Sequence, residues 1–205
     1  AQQNENHDAD LLQEPLGWHK TRPEAYQTTD LQPALDPFTS DERAQLRDWL
    51  DRRLGPTVSR LYGVPTFSIR ATDMFLARYD ATTPEGQTAL LRHIDDTDVS
   101  FNILLSTNFS GGGTRFFNRL QQRLDQQNTD AGMFHHAQPQ QAGTVLLHNS
   151  QIEHEGYPIQ SGTRFILVGF LTLDRRDPWT GVSTGMSWFA SWGNFQWTQV
   201  RLREF

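Results

Sequence analysis

His93 and Asp95 stand two residues apart, His154 follows 59 positions after Asp95, and Arg164 comes ten after His154. An imidazole and a carboxylate at i and i+2 share one face of a strand, because successive side chains of an extended chain point to opposite sides. A second imidazole from distant sequence completes a set of two histidines and one carboxylate. Such a set holds a metal ion and leaves coordination positions open. Ligands so far apart in sequence meet only on a rigid scaffold, and that requirement limits the fold more than any other feature of the chain.

The surrounding sequence reads as strands broken by glycine turns. In 99–106, Val99, Phe101, Ile103 and Leu105 alternate with Ser100, Asn102, Leu104 and Ser106. Asp95 shares parity with the first set, although a bulge in the intervening Asp96-Thr97-Asp98 would reverse the facing. Gly111, Gly112 and Gly113 permit positive φ and a tight reversal. Residues 150–155 and 163–171 read as strands joined by the turn-rich GYPIQSG. As a hairpin centred on Ile159, they would carry His154 and Arg164 on one face of neighbouring strands. A small dicarboxylate would then chelate the metal at one end and meet the guanidinium at the other in a bidentate pair. Rival ligands are weaker. His135 and His136 are adjacent, so on a strand they point apart and read as surface or rim residues. His148, six residues before His154, is assigned to the pocket wall, and Asp96 and Asp98 read as solvated neighbours of Asp95.

In order along the chain come Tyr79, His93-x-Asp95, Gly111-Gly112-Gly113-Thr114-x-Phe116, Gly143, His154-Glu155-Gly156 and Gly162-Thr163-Arg164. With these residues the chain resembles the Fe(II)/2-oxoglutarate-dependent dioxygenases, nearest to the prolyl 4-hydroxylase and lysyl hydroxylase group, over roughly 66–171. The resemblance implies a mainly β fold, a double-stranded β-helix (a cupin-like jelly roll), with the 40–54 helix packed outside. It implies Fe(II) on His93, Asp95 and His154, and 2-oxoglutarate as cosubstrate against Arg164, with Tyr79 donating its hydroxyl to the C5 carboxylate. Asn102 is a further candidate to hydrogen-bond the cosubstrate if it points inward. O₂ is the oxidant and ascorbate a supporting reductant. The implied reaction is hydroxylation of an unactivated C–H bond, in a prolyl or lysyl side chain of a peptide or protein. Asp95 bears on this twice, because halogenating relatives of the broad class lack the carboxylate. Alternatives are a small-molecule hydroxylase of the same superfamily, a non-catalytic jelly-roll binding module that keeps its metal, and a cupin-type hydrolase or isomerase. Arg164 argues against the last two, which need no clamp for a carboxylate.

The rest of the chain fits one domain. Residues 1–37 are polar and broken by Pro15, Pro23, Pro33 and Pro37, and read as an arm; 38–205 read as the catalytic domain, with a barrel core at about 66–173 and an aromatic-rich segment at 178–205. Thr39-Ser40-Asp41-Glu42 is a capping box, Leu46, Trp49, Leu50 and Leu54 follow at helical spacing, and Gly55-Pro56 is expected to stop the helix. Residues 66–70 and 74–79 read as strands. A net charge of −6 without a basic run speaks against a nucleic-acid partner, and no apolar run reaches the length of a membrane span. The absence of cysteine excludes disulfides and thiolate ligands and, with no secretory leader visible, points to a soluble, cytoplasmic setting. The glutamine-rich 118–141 and the tryptophan-rich 179–197 are expected to wall a groove for an extended polypeptide.

Overall fold

A computed structural model of the chain describes residues 18–19, 29–31, 39–117, 134–174 and 197–201. Its helical part starts as the capping box requires. The Thr39 hydroxyl accepts the Glu42 N–H at 3.2 Å, and the Glu42 carboxylate accepts the Thr39 N–H at 2.7 Å. Helix α1 (Ser40–Trp49) does not stop at Gly55-Pro56, as the sequence suggested. A π-turn over Leu50–Leu54 carries it into α2 (Gly55–Tyr62), which ends at Gly63 in the left-handed region at φ 65°. The physical reason lies in the missing proline N–H. At the first positions of a helix that donor is not needed, and the wide turn, closed by the Gly55 N–H on the Leu50 carbonyl, makes Pro56 such a position. Leu50, Leu54, Val58 and Tyr62, four residues apart, form one buried stripe across the junction.

The described strands are β1 (Trp18–His19), β2 (Thr29–Leu31), β3 (Ile69–Asp80), β4 (Leu90–His93), β5 (Val99–Leu104), β6 (Phe109–Gly111), β7 (Thr114–Phe117), β8 (Phe134–Ala137), β9 (Thr144–Asn149), β10 (His154–Gly156), β11 (Ile159–Leu173) and β12 (Trp197–Arg201). They form two antiparallel sheets. The larger runs β1-β2-β3-β11-β5-β9-β12, with β6 also on β11; the smaller runs β4-β10-β7-β8. This is the expected jelly roll with its helix outside. The two strands expected at 66–70 and 74–79 are one, β3, entered through a 3₁₀ turn at Thr66–Ser68 in which the Ser68 N–H reaches the Pro65 carbonyl. Of the N-terminal arm, β1 and β2 extend the sheet edge at β3, and of the tryptophan-rich segment, β12 pairs with β9. The rest of both, and 118–133 of the glutamine-rich stretch, lie outside the described residues. Among the described residues no helix is long and apolar enough to cross a membrane.

The larger sheet has one apolar face and one face of mixed polarity, and period-two alternation assigns each side chain its role. Val99, Phe101 and Ile103 of β5, Val145 and Leu147 of β9, and Leu167, Leu171 and Leu173 of β11 pack with Leu54 and Val58 in the main core. Their alternates face the smaller sheet: Ser100 and Asn102 on β5, His148 on β9, Arg164, Ile166, Val168 and Phe170 on β11. Gly169 sits opposite Phe101 on the core face. A Cβ there would lie 2.2 Å from Phe101 Cζ, so the ring fills the space that the glycine leaves. Gly169→Ala is therefore expected to overpack the core and cost about 1–3 kcal/mol, read as a lower urea midpoint; an unchanged midpoint would mean that Phe101 does not need that space.

The hairpin expected around Ile159 does not form. β10 pairs with β4 and β7 in the smaller sheet, whereas β11 pairs with β3, β5 and β6. His154 and Arg164 consequently sit on opposed sheets, and both reach one cavity between them.

Candidate metal centre

Three backbone relations bring the triad together. His93 ends β4, His154 begins β10, and the two are direct partners in the antiparallel pair, with ring centroids 4.3 Å apart. Asp95 lies in the turn after β4, where its N–H donates to the Ser150 carbonyl at 2.9 Å. Its Oδ1 is 3.4 Å from His93 Nε2 and its Oδ2 is 3.6 Å from His154 Nε2. One ligand atom from each of the three residues falls within 4.8 Å of the others.

The protonation pattern suits a cation. His93 Nδ1 lies 2.7 Å from the Leu91 carbonyl and His154 Nδ1 lies 2.9 Å from the Ile152 carbonyl. A carbonyl only accepts, so each Nδ1 carries a proton and each ring turns its Nε2 toward the carboxylate. Burial and the neighbouring His148 ring push the His154 pKa down to about 3 against the pull of Asp95. Burial works to raise Asp95, but the His93 contact, the His154 and His148 rings and the Ser100 hydroxyl outweigh it and hold it down to about 2. Two imidazole nitrogens and one carboxylate thus converge in a buried space, a donor set that a divalent metal ion satisfies once the ring nitrogens are free of protons. The donor set fits Fe(II).

Opposite the triad lies a cationic pole. Arg164 on β11 is the register partner of Tyr79 on β3 and is only 3% exposed. Its guanidinium carbon lies 5.3 Å from the Tyr79 ring centroid. Burial lowers the Arg164 pKa and Tyr79 opposes it, but a guanidinium keeps its charge in any case. No carboxylate among the described residues pairs with it, and a buried charge without a partner costs several kcal/mol. Glycines make room for this pole. A Cβ on Gly156 would come 3.0 Å from Tyr79 Oη, and one on Gly112 would come 3.4 Å from Arg164 Cδ and 2.9 Å from Ile159 Cγ2. A side chain at the glycine of His154-Glu155-Gly156 would thus crowd the Tyr79 hydroxyl.

The cavity measures about 410 Å³ and is lined by all six residues singled out in the sequence: His93, Asp95, His154, Arg164, Tyr79 and Asn102. Others lining it went unnoticed. Ile166, Val168 and Phe170 continue from Arg164 at period two, so their facing was readable from that residue. Phe75 stands four before Tyr79 on β3, and Ser100 two before Asn102. Thr114 of the glycine motif and Thr97 also line it, and only Thr97 had no sequence signal.

The rivals fall as expected, with one exception. His148 is fully buried in the cavity wall, its ring 4.4 Å from that of His154, outside the ligand group. His135 and His136 are exposed on β8, and His136 Nε2 meets the Gly112 carbonyl at 2.8 Å. Asp96 is exposed. Asp98 is not a solvated neighbour. Its Oδ2 accepts the Leu173 N–H at 2.8 Å, and its own carbonyl accepts the Ser150 N–H at 3.2 Å, so it ties three segments together.

No family model matches the chain. It is 30% identical over 123 residues to the rat (Rattus norvegicus) multifunctional procollagen lysine hydroxylase and glycosyltransferase LH3, a match covering 58% of this chain and 14% of that protein. Among solved structures, it is similar to the non-haem α-ketoglutarate-dependent epimerase SnoN from nogalamycin biosynthesis, with a TM-score of 0.50 at 15% identity over 67% of this chain and 58% of the other. A 2OG-Fe(II) oxygenase family oxidoreductase from Burkholderia pseudomallei gives a TM-score of 0.49 at 18% identity over 70% and 62% of the two chains. The chain therefore spans a small part of its curated relative and about three fifths of these structures, and at such identities the structural likeness is one of fold. The fold is shared with the α-ketoglutarate-dependent epimerase SnoN, and the site it carries is a candidate metal triad of His93, Asp95 and His154 facing a buried arginine.

Proposed function

We propose that the chain is an Fe(II)- and 2-oxoglutarate-dependent oxygenase that hydroxylates an unactivated C–H bond in a prolyl or lysyl side chain of a polypeptide. The observation that carries the class is the joint placement in one cavity of the triad and of Arg164, buried with no carboxylate partner among the described residues. A metal alone has no use for a buried guanidinium, whereas a dicarboxylate bound to that metal does. Bound there, iron with 2-oxoglutarate supplies the oxidation: O₂ gives one oxygen atom to succinate, formed with CO₂, and the other to the substrate hydroxyl. In this reading Arg164 pairs with the distal carboxylate, Tyr79 adds its hydroxyl and Asn102 its amide. Phe75, Ile166, Val168 and Phe170 form an apolar wall that keeps water from the reacting centre. The chain's residues supply position and exclude water, and no side chain has to act as an acid or base.

The polypeptide substrate rests on the named activity of the rat relative. The test is to follow succinate release and oxygen gain by mass spectrometry with Fe(II), 2-oxoglutarate and ascorbate, against proline- and lysine-containing peptides and the free amino acids. Peptide-stimulated succinate with one oxygen atom added to the peptide is the expected result. Oxygen entering only small molecules would overturn the substrate, and no 2-oxoglutarate turnover by an iron-loaded protein would overturn the class.

A further inference from the structure

We propose that Ser100, Ser150 and Thr97 form a one-way chain of hydroxyl groups that fixes the Asp95 carboxylate as a single-oxygen metal ligand. The inference rests on the metal reading of the triad and adds three positioning residues to it.

Ser100 sits on the cavity face of β5 and is 2% exposed; Ser150, just beyond β9, is fully buried. The Ser100 hydroxyl donates to Asp95 Oδ2. Its oxygen lies 2.7 Å from Ser150 Oγ, and Ser150 Oγ lies 2.7 Å from Thr97 Oγ1. Distances alone leave the direction of the last two bonds open, but the carboxylate settles it. An ionised carboxylate only accepts, and a hydroxyl has one proton to give. The Ser100 proton is committed to Asp95, so Ser150 must donate to Ser100, and Thr97 must then donate to Ser150. All three dipoles point toward the carboxylate, and such a series polarises each bond in it.

The backbone beneath the chain is equally fixed. The turn holding Asp95 and Thr97 is stitched to the turn after β9 by the Asp95 N–H on the Ser150 carbonyl at 2.9 Å. The Gln151 amide adds bonds to the Asp95 carbonyl at 3.0 Å and the Thr97 carbonyl at 3.3 Å. With one lone pair of Oδ2, 3.6 Å from His154 Nε2, engaged by Ser100, Oδ1, 3.4 Å from His93 Nε2, is the oxygen whose lone pairs the chain leaves to a metal. Without the hydroxyl, the carboxylate can turn about its terminal bond and offer either oxygen or both. Partners behind a metal ligand usually set its orientation, at about 10–100-fold in metal affinity.

The test compares wild type with Ser100→Ala, Ser100→Thr, Ser150→Ala and Thr97→Val. Affinity is measured for Fe(II) under anaerobic conditions and for Co(II) by chelator competition, with the Co(II) absorption spectrum as report on coordination. Ser100→Ala is expected to weaken both metals by about 10–100-fold and to change the Co(II) spectrum, Ser150→Ala to do so less, and Thr97→Val least. Ser100→Thr keeps the hydroxyl and should restore both readouts. Thermal melts of the metal-free proteins check folding, and Ser150→Ala carries the comparison if Ser100→Ala does not fold. Wild-type affinity and spectrum in Ser100→Ala or, if that variant does not fold, in Ser150→Ala would overturn the proposal while leaving the triad in place. So would a loss that Ser100→Thr does not restore. A wild-type protein that binds neither metal would remove the metal reading itself.

Discussion

Replacing Asp95 by alanine is expected to abolish Fe(II) binding and 2-oxoglutarate turnover, and His93→Ala and His154→Ala are expected to do the same. Partners behind a ligand already contribute about 10–100-fold to metal affinity, so loss of a direct ligand from a set of three should exceed that. The fold should survive. None of the three side chains belongs to the apolar clusters that make up the core. Metal added at about 100 times its dissociation constant should stabilise the wild type by about 2.7 kcal/mol, and this gain should vanish in each variant. Calorimetric titration and the metal-dependent shift in melting temperature check both halves. Unchanged metal binding in all three variants would place the metal elsewhere. His136→Ala, remote from the ligand group, should leave the gain as it is.

How far the sequence could be read follows from the range of each interaction. The triad and Arg164 were legible because each carries chemistry that is rare at a given spacing, and Asn102 because its strand alternates. The facing of Asp95 was not. The turn at 96–98 reverses the parity, so Asp95 shares the cavity with Ser100 and Asn102 while Val99 and Phe101 enter the core. Period-two counting cannot pass through such a turn. The continuation of the helix past Gly55-Pro56 failed to show for a related reason. Propensity marks proline as a stop, and only the π-turn, fixed by the burial of Leu50 and Leu54, makes its position a helix start. The assignment of His154 and Arg164 to one hairpin erred through locality. Ten residues with a glycine-bounded turn look like neighbours in one sheet, but β4 and β7, arriving from elsewhere in the sequence, claim both edges of β10. The same non-local packing created the Asp98 and Ser150 contacts, which no local pattern announces.

Arg164→Ala is expected to raise the 2-oxoglutarate requirement by on the order of ten- to a hundredfold, since a hydrogen bond to a charged group is worth roughly 1.5–3 kcal/mol. Metal affinity should hardly move, because Arg164 reaches the cavity from β11 in the larger sheet whereas His93 and His154 are held by the smaller one. Arg164→Lys should recover part of the loss: it restores charge, but a point charge on a flexible stem lacks the planar fork that meets a carboxylate with two bonds. A third variant separates binding from folding. Arg164→Met keeps an unbranched aliphatic stem and removes a charge that is buried beside Tyr79 with no carboxylate partner among the described residues. Burying such a charge works against stability, so the Met variant should unfold at the same urea concentration as the wild type or a higher one while losing cosubstrate affinity as alanine does. Opposite signs for stability and binding at one residue would mark a group held in the fold for a ligand. If Arg164→Met lowers the urea midpoint and leaves the 2-oxoglutarate requirement unchanged, the guanidinium serves the fold and the dicarboxylate binds elsewhere.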